Sequence, residues 1–130
     1  MTVTSAYAVI PTADLAAART WWTRLLGREP DRVPMPTDLE WFFASDGGSQ
    51  SSPGPTGPSG GGLQVVDDPE HAGAGSVTLG VDDVDAELAG IEGRGLDVPQ
   101  AETVPSGQFR LAILQDPDGN TVVLGQDLTT

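Results

Sequence analysis

The stretch that decides the fold occurs twice: residues 6–27 are AYAVIPTADLAAARTWWTRLLG, and residues 75–96 are GSVTLGVDDVDAELAGIEGRGL. When the two are aligned without gaps, Asp14 lies over Asp83. Each copy has an apolar run typical of a strand, an acidic residue at a helix start, and apolar residues at helical spacing. Because self-similarity at a fixed offset indicates repeated structural units, we predict two similar modules, each beginning with a strand and a helix.

Further strand candidates follow each predicted helix. They lie at residues 32–34, 39–44, 63–66, 109–114 and 120–124. The last two are joined by a proline and glycine sequence with turn chemistry, DPDG at residues 116–119. We therefore predict a single α+β domain over residues 1–130, built from two βαβββ modules at about 1–66 and 72–128. Placed side by side, the modules would form a curved mixed sheet with a central cavity and with the helices outside.

A biased segment interrupts the first module. Residues 45–62 are SDGGSQSSPGPTGPSGGG, with almost no side chains that could offset the entropy of ordering the chain. We predict a flexible insert there. Two interpretations remain open: a lid over a cavity, or an expanded loop without function.

Composition excludes several classes of function. Six basic residues against nineteen acidic ones give a formal net charge of −13, which repels a phosphate backbone and argues against nucleic-acid binding. The same acidity is explained either by solubility or by attraction of a cationic ligand. There is no cysteine, which excludes disulfides and thiolate sites. Since no apolar run is long enough to span a membrane, we expect a soluble, cytoplasmic protein.

Four segments in this order resemble the vicinal oxygen chelate superfamily, which includes glyoxalases, bleomycin-resistance proteins and extradiol dioxygenases. They are TADLAAARTWWTRLLG, LQVVDDPEHAG, VDDVDAELAGIEGRG and LQDPDGNTVVL, which begin at residues 12, 63, 81 and 114. The resemblance covers nearly the whole chain except the insert. It implies paired modules, a binding site in the concavity of the sheet, and a homodimer.

The resemblance also implies where metal ligands would lie. Carried over by position, the four ligand roles of the superfamily's metalloenzymes fall on Tyr7, Gln64, Ser76 and Val123. Three or four converging imidazole, carboxylate or amide donors are needed to hold a catalytic divalent ion. Only Gln64 supplies such a donor, so we predict no metal, no cofactor and no catalytic residue.

Other candidate catalytic groups have simpler interpretations. The one histidine, His71, lies in a predicted surface loop. The acid pair at residues 82–83 lies where a helix start favours negative charge, and the pair at 67–68 precedes a proline at a strand end. We interpret both pairs as capping and turn residues.

The predicted cavity suits binding better than catalysis. Tyr7, Gln64, Ser76 and Val123 would offer a phenol, an amide, a hydroxyl and an apolar wall. Trp41 and Phe43 alternate on one strand face, where they either stack on a planar or cationic ligand or pack in the core.

These features favour a metal-independent small-molecule-binding protein that sequesters a cationic or aromatic natural product, as antibiotic-resistance members of the superfamily do. The alternative is a glyoxalase-like lyase, isomerase or dioxygenase with atypical metal ligands. A third possibility is an accessory domain without catalytic activity.

Overall fold

The chain folds into two βαβββ modules, and the α+β prediction is confirmed. The computed structural model describes residues 1–43 and 60–129. The elements are β1 (Ser5–Thr12), α1 (Leu15–Leu26), β2 (Arg32–Met35), β3 (Asp38–Phe43), β4 (Gly60–Asp67), β5 (Ser76–Gly80), α2 (Val84–Gly93), β6 (Glu102–Thr103), β7 (Phe109–Gln115) and β8 (Thr121–Asp127). The short strand β6 has no counterpart among the predicted elements. No helix in the described ranges is long and apolar enough to cross a membrane.

Each module forms its own four-stranded mixed sheet. The strand orders are β1-β4-β3-β2 and β5-β8-β7-β6. The first strand of each module pairs in parallel with the last, and the remaining pairs are antiparallel. The hydrogen-bonded ladders end at the module boundary, so the curved surface expected from the sequence consists of two sheets.

Local chemistry sets the helix ends. The Asp14 side chain accepts a hydrogen bond from the Ala17 backbone N–H, and Asp83 does the same for Ala86. These carboxylates satisfy N–H groups that have no partner within the helix. Helix α1 ends at Gly27, whose φ of 78° is a left-handed conformation that glycine adopts without strain. Of the acidic pair at residues 82–83, which was predicted to cap a helix, Asp83 caps the start of α2.

The C-terminal end of the predicted insert belongs to the sheet instead. Residues 60–62 form the start of β4, and the rest of the insert lies outside the described residues. A Cβ atom on Gly62 would lie 2.6 Å from the Trp41 carbonyl oxygen and 2.7 Å from Cε2 of Tyr7. Glycine is therefore needed here for close packing, a requirement that composition alone does not distinguish from flexibility.

The core lies between the sheets and the helices. Its largest fully buried side chains include Trp22, Trp41, Ile10, Leu63 and Ile91. Residues from both modules form one continuous cluster, in which each helix packs against the sheet of its own module and the two helices contact each other.

A buried polar network joins the two modules at one end. The side chain of Asn120 is fully buried; its Nδ2 donates to the Pro11 carbonyl (2.8 Å) and to Asp116 (2.8 Å). Its Oδ1 accepts from the backbone N–H groups of Gly73 (3.0 Å) and Gly75 (2.7 Å). The DPDGN sequence therefore does more than turn the chain, because it ties the second module to the end of β1.

A second connection joins the two helices. The Arg94 guanidinium donates to the carbonyl oxygens of Arg24 and Leu25, which lie in the last turn of α1. These carbonyls have no partner within the helix, and a cation there also complements the helix dipole. Arg94 therefore lies at the C-terminal end of α2, and its side chain caps the C-terminal end of α1.

Candidate ligand-binding site

Each sheet has one face against the helices and one open face, and alternation along the strands assigns the side chains. On the first sheet, Trp41 pairs in register with Leu63, and both are fully buried on the helix side. The next pair, Glu40 and Gln64, lies on the opposite, open face. Polar side chains therefore line the open face of the first module.

Five side chains form a cluster on that face, which we call the first-module cluster: Tyr7, Arg32, Glu40, Phe42 and Gln64. Arg32 Nε donates to Glu40 Oε1 at 2.7 Å, and Gln64 Nε2 donates to Glu40 Oε2 at 2.5 Å. The Arg32 guanidinium lies 5.2 Å from the Phe42 ring centroid, and Tyr7 meets that ring edge-on. Since Glu40 is only 3% exposed, its charge depends on these partners.

Asp38 lies two residues before Glu40 on the same side of β3. Burial raises the pKa of its carboxyl, the nearby Glu40 charge raises it further, and Arg32 partly opposes this. In the described part of the chain, Asp38 Oδ1 is buried without a hydrogen-bond partner. The folded state therefore favours the protonated form of this group.

Replacing Asp38 with asparagine is expected to raise the melting temperature near pH 7 by about 2–4 °C. The folded protein retains the Asp38 proton to a higher pH than the unfolded chain does. The free energy of folding that comes from this proton is therefore present in acid and is lost as pH rises through the raised pKa. Asparagine resembles the protonated form, and its advantage should vanish near pH 3. Thermal unfolding between pH 3 and 8 checks this, with the exposed Asp97→Asn as control; an equal gain at all pH values would contradict it.

The open face of the second module contains a cleft of about 410 Å³, which we call the second-module cleft. Its apolar wall is formed by Phe109, Leu111 and Val123, and its acidic side chains are Asp82 and Asp127. Phe109 is 46% exposed although it is a large apolar residue. An exposed aromatic ring beside carboxylates is a surface that suits a flat or cationic molecule.

Asp127 is held as an anion in this cleft. The side-chain hydroxyl and the backbone N–H of Thr129 both donate to Asp127 Oδ1, and these bonds lower the pKa of the carboxyl. Because the group is exposed, its charge is available to a ligand and is screened by salt.

A larger cleft of about 720 Å³ lies between the modules, and we call it the inter-module cleft. Its walls come from β1, β4 and β5 and from the facing parts of both helices. Small residues are frequent among them, including Ala6, Ala8, Gly61, Gly62 and Gly80. Volumes of this order are typical of small-molecule sites.

The six binding residues predicted from the sequence do not share one surface. Tyr7 and Gln64 lie on the open face of the first sheet, and Val123 lines the second-module cleft. Ser76 is exposed at the start of β5. Trp41 and Phe43 share one face of β3, as expected, and it is the face towards the helices.

Trp41 therefore has no ligand-facing surface. Its ring is fully buried, and its Nε1 donates to the Arg28 carbonyl at 3.0 Å. Packing against the core removes more apolar area from water than an open strand face would, which is why the aromatic pair turns inward. Phe43 is partly buried and lines the inter-module cleft.

The residues at the superfamily's ligand positions do not fit a divalent metal ion. Gln64 donates its amide to Glu40, and Glu40 is neutralised by Arg32. Val123 has no donor atom. Within residues 1–43 and 60–129, no group of three His, Cys, Asp or Glu side chains is arranged to hold a metal. No reaction step through a metal follows from this donor set.

Sequence reasoning missed the residues that shape both open faces. Arg32, Glu40, Asp82, Phe109 and Asp127 lie on different strands or at their ends, and only the fold brings them together. Alternation along residues 109–114 is the one local signal that could have indicated Phe109. His71 is exposed and hydrogen-bonded to Asp68, as expected for a surface loop.

Residues 4–124 match the Glyoxalase/Bleomycin resistance protein/Dioxygenase superfamily, and the chain belongs to this family. A glyoxalase/bleomycin resistance protein from Catenulispora acidiphila is 34% identical over 92% of this chain and 95% of its own, with a TM-score of 0.72. The resemblance identified in the sequence is thus confirmed. No curated protein matches the chain.

Two more distant structures share the fold. An antibiotic-binding protein from Streptomyces sp. CB03234 is 23% identical, with a TM-score of 0.64 and coverage of 98% of this chain and 96% of that one. A bleomycin-binding protein in complex with bleomycin is 18% identical, with a TM-score of 0.66 and coverage of 98% of both chains. At these identities the likeness concerns the fold alone.

Proposed function

We propose that this protein binds and sequesters a small cationic or aromatic natural product without a metal. The observation that carries the proposal is the second-module cleft, where the half-exposed Phe109 ring lies in one concavity with Asp82 and Asp127. A ring face attracts both flat molecules and cations, and the carboxylates favour positive charge.

Three further observations support binding over catalysis. The formal net charge of −13 attracts cations over a long range. In the first-module cluster the charged groups of Arg32 and Glu40 are paired with each other, and the Tyr7 and Phe42 rings pack beside them. Two structures with this fold bind antibiotics, one of them bleomycin. We also propose ligand contacts on the open faces of the two sheets, at Tyr7 and Gln64 on the first and at Ser76 and Val123 on the second.

The first test is a thermal-shift titration against divalent metals and a panel of cationic and aromatic natural products. Ligands that bind only the native state raise its melting temperature. Stabilisation by organic compounds in the presence of a chelator supports the proposal. Stabilisation by a metal alone would contradict it and would favour the enzymatic alternative, a lyase, isomerase or dioxygenase with ligands other than those assigned by position.

Replacing Phe109 with alanine is expected to weaken binding of an aromatic cation, such as benzyltrimethylammonium, by about tenfold or more. The substitution removes the ring that forms the wall of the second-module cleft. Affinity is measured by titration followed by nuclear magnetic resonance. Asp127→Asn should weaken binding by about three- to tenfold, with a smaller loss at high salt.

Two matched controls are available for this experiment. Ile113 lies on the same strand and is 56% exposed but does not line the cleft, so Ile113→Ala should leave affinity unchanged. Asp97→Asn removes one exposed charge elsewhere and controls for net charge. Equal losses in Phe109→Ala and Ile113→Ala would contradict a site at this cleft.

We further propose a cytoplasmic homodimer. Several large apolar side chains are exposed, among them Val9, Val33 and Met35, and association of two copies would remove such surface from water. The lack of cysteine is compatible with a reducing compartment. Light scattering at working concentration is expected to give twice the chain mass, and a monomer would contradict the assembly.

A further inference from the structure

The second-module cleft and the inter-module cleft are neighbours. The same four residues at the end of β5 line both: Thr78, Gly80, Val81 and Asp82. The two clefts therefore lie on either side of one short stretch of backbone. A ligand that occupies one of them has the other within reach.

Because Gly80 has no side chain, space is left open at the boundary between the two clefts. A Cβ atom on Gly80 would meet no other atom within 4 Å, so space is open beside it. Its φ is outside the left-handed region, since the positive-φ glycines are at other positions. Glycine is thus not required here by backbone conformation, and, because Gly80 pairs with Gly125 on the open face, a side chain at this position would project into the second-module cleft beside the junction.

The two clefts differ in chemistry. The second-module cleft has an aromatic ring and two carboxylates. The inter-module cleft has mainly aliphatic walls that include Ala6, Ala8, Leu79 and Ile91, and its charged side chains are Glu87, the shared Asp82 and Arg28, which is paired with Asp31. The Asp82 carboxylate therefore lies at the junction, with the Phe109 ring in one cleft and mainly aliphatic walls in the other.

We propose that the two clefts form one continuous site for an amphipathic organic cation, with its planar head on Phe109, its positive charge at Asp82 and its apolar tail in the inter-module cleft. This inference rests on the proposed function and specifies the class of ligand. The tail is recognised through burial of apolar surface, and the charge is recognised at the junction.

The test uses benzyldimethylalkylammonium ions whose alkyl chains extend from methyl to hexyl. Affinity of the parent protein should rise about threefold for each added methylene, because each buried methylene contributes a similar free energy. In Ala6→Leu, the larger side chain fills the inter-module cleft, so this dependence on chain length should be lost while the methyl compound binds as in the parent. Ala16→Leu, on an exposed position of α1, is the matched control and should retain the dependence.

A second variant allows the same conclusion to be tested if Ala6→Leu does not fold. Ala8→Leu fills the inter-module cleft at a second position of β1, and it should weaken all the longer compounds by about tenfold or more relative to the methyl compound. Thermal unfolding verifies that both variants fold. If the methyl compound binds but affinity does not depend on chain length in the parent, the continuous site is overturned and the proposed function stands. If no member of the series binds, both are overturned.

Discussion

Replacement of Asn120 with alanine is expected to lower the free energy of unfolding by about 3–5 kcal/mol. The amide makes four hydrogen bonds in a fully buried position, two of them to the backbone N–H groups of Gly73 and Gly75 and one to the Pro11 carbonyl. Alanine leaves the partly buried N–H groups and the buried Pro11 carbonyl without these partners, and each buried group that loses its partner costs about 1–3 kcal/mol. The loss is a large part of the total stability of an average domain.

The effect should be structural and local to the module boundary. Asn120 joins the DPDGN turn to the end of β1, so its loss separates the modules at that point. Chemical denaturation gives the free energy, and Gln100→Ala at an exposed position serves as control. Asp118→Asn weakens the same boundary more gently, since it alters bonds to Thr12 and Ala13 and leaves Asn120 in place. A loss below about 1 kcal/mol for Asn120→Ala would contradict the assigned role.

Replacement of Arg32 with methionine is expected to lower the free energy of unfolding by about 2–3 kcal/mol. Methionine retains the apolar stem but removes the charge that pairs with Glu40. The carboxylate then remains buried with Gln64 as its remaining side-chain partner. The loss is smaller than for a fully buried pair because the Arg32 side chain is itself 38% exposed.

A double-mutant cycle separates this effect from lost packing. If the cost arises from the unpaired carboxylate, adding Glu40→Gln to Arg32→Met should restore about half of the stability or more. Arg19→Met is the matched control, because it removes an ion pair with Glu29 in which both side chains are largely exposed. Such pairs contribute about 0–1 kcal/mol. Equal losses in the two arginine variants would contradict the role of Glu40.

Much of the fold was predictable from local sequence. The alignment of residues 6–27 with 75–96 indicated two modules, and Asp14 and Asp83 marked helix starts, where each bonds to nearby backbone. Such signals depend on residues only a few positions apart, so they can be recognised without knowledge of the tertiary fold. The glycines at 60–62 were less informative because flexibility and close packing require the same residue.

The site was less predictable than the fold. Alternation showed that Trp41 and Phe43 share a strand face, but it did not indicate which face meets the helices. Packing decided this, and it placed Glu40 and Gln64 on the open side. The second-module cleft combines residues from three strands and the loop after β5, so its aromatic and acidic side chains become neighbours only after the sheet forms.

The sequence by itself determined the paired modules, the helix boundaries and the strongly acidic surface, because periodicity, capping and charge are local or additive properties. Tertiary structure decided which polar groups are buried and which clefts exist. Asn120 illustrates the reason. In the sequence it is the last residue of an ordinary turn, yet its amide reaches the carbonyl of Pro11, which is 109 positions away. Bonds over such separations depend on the packing of both modules.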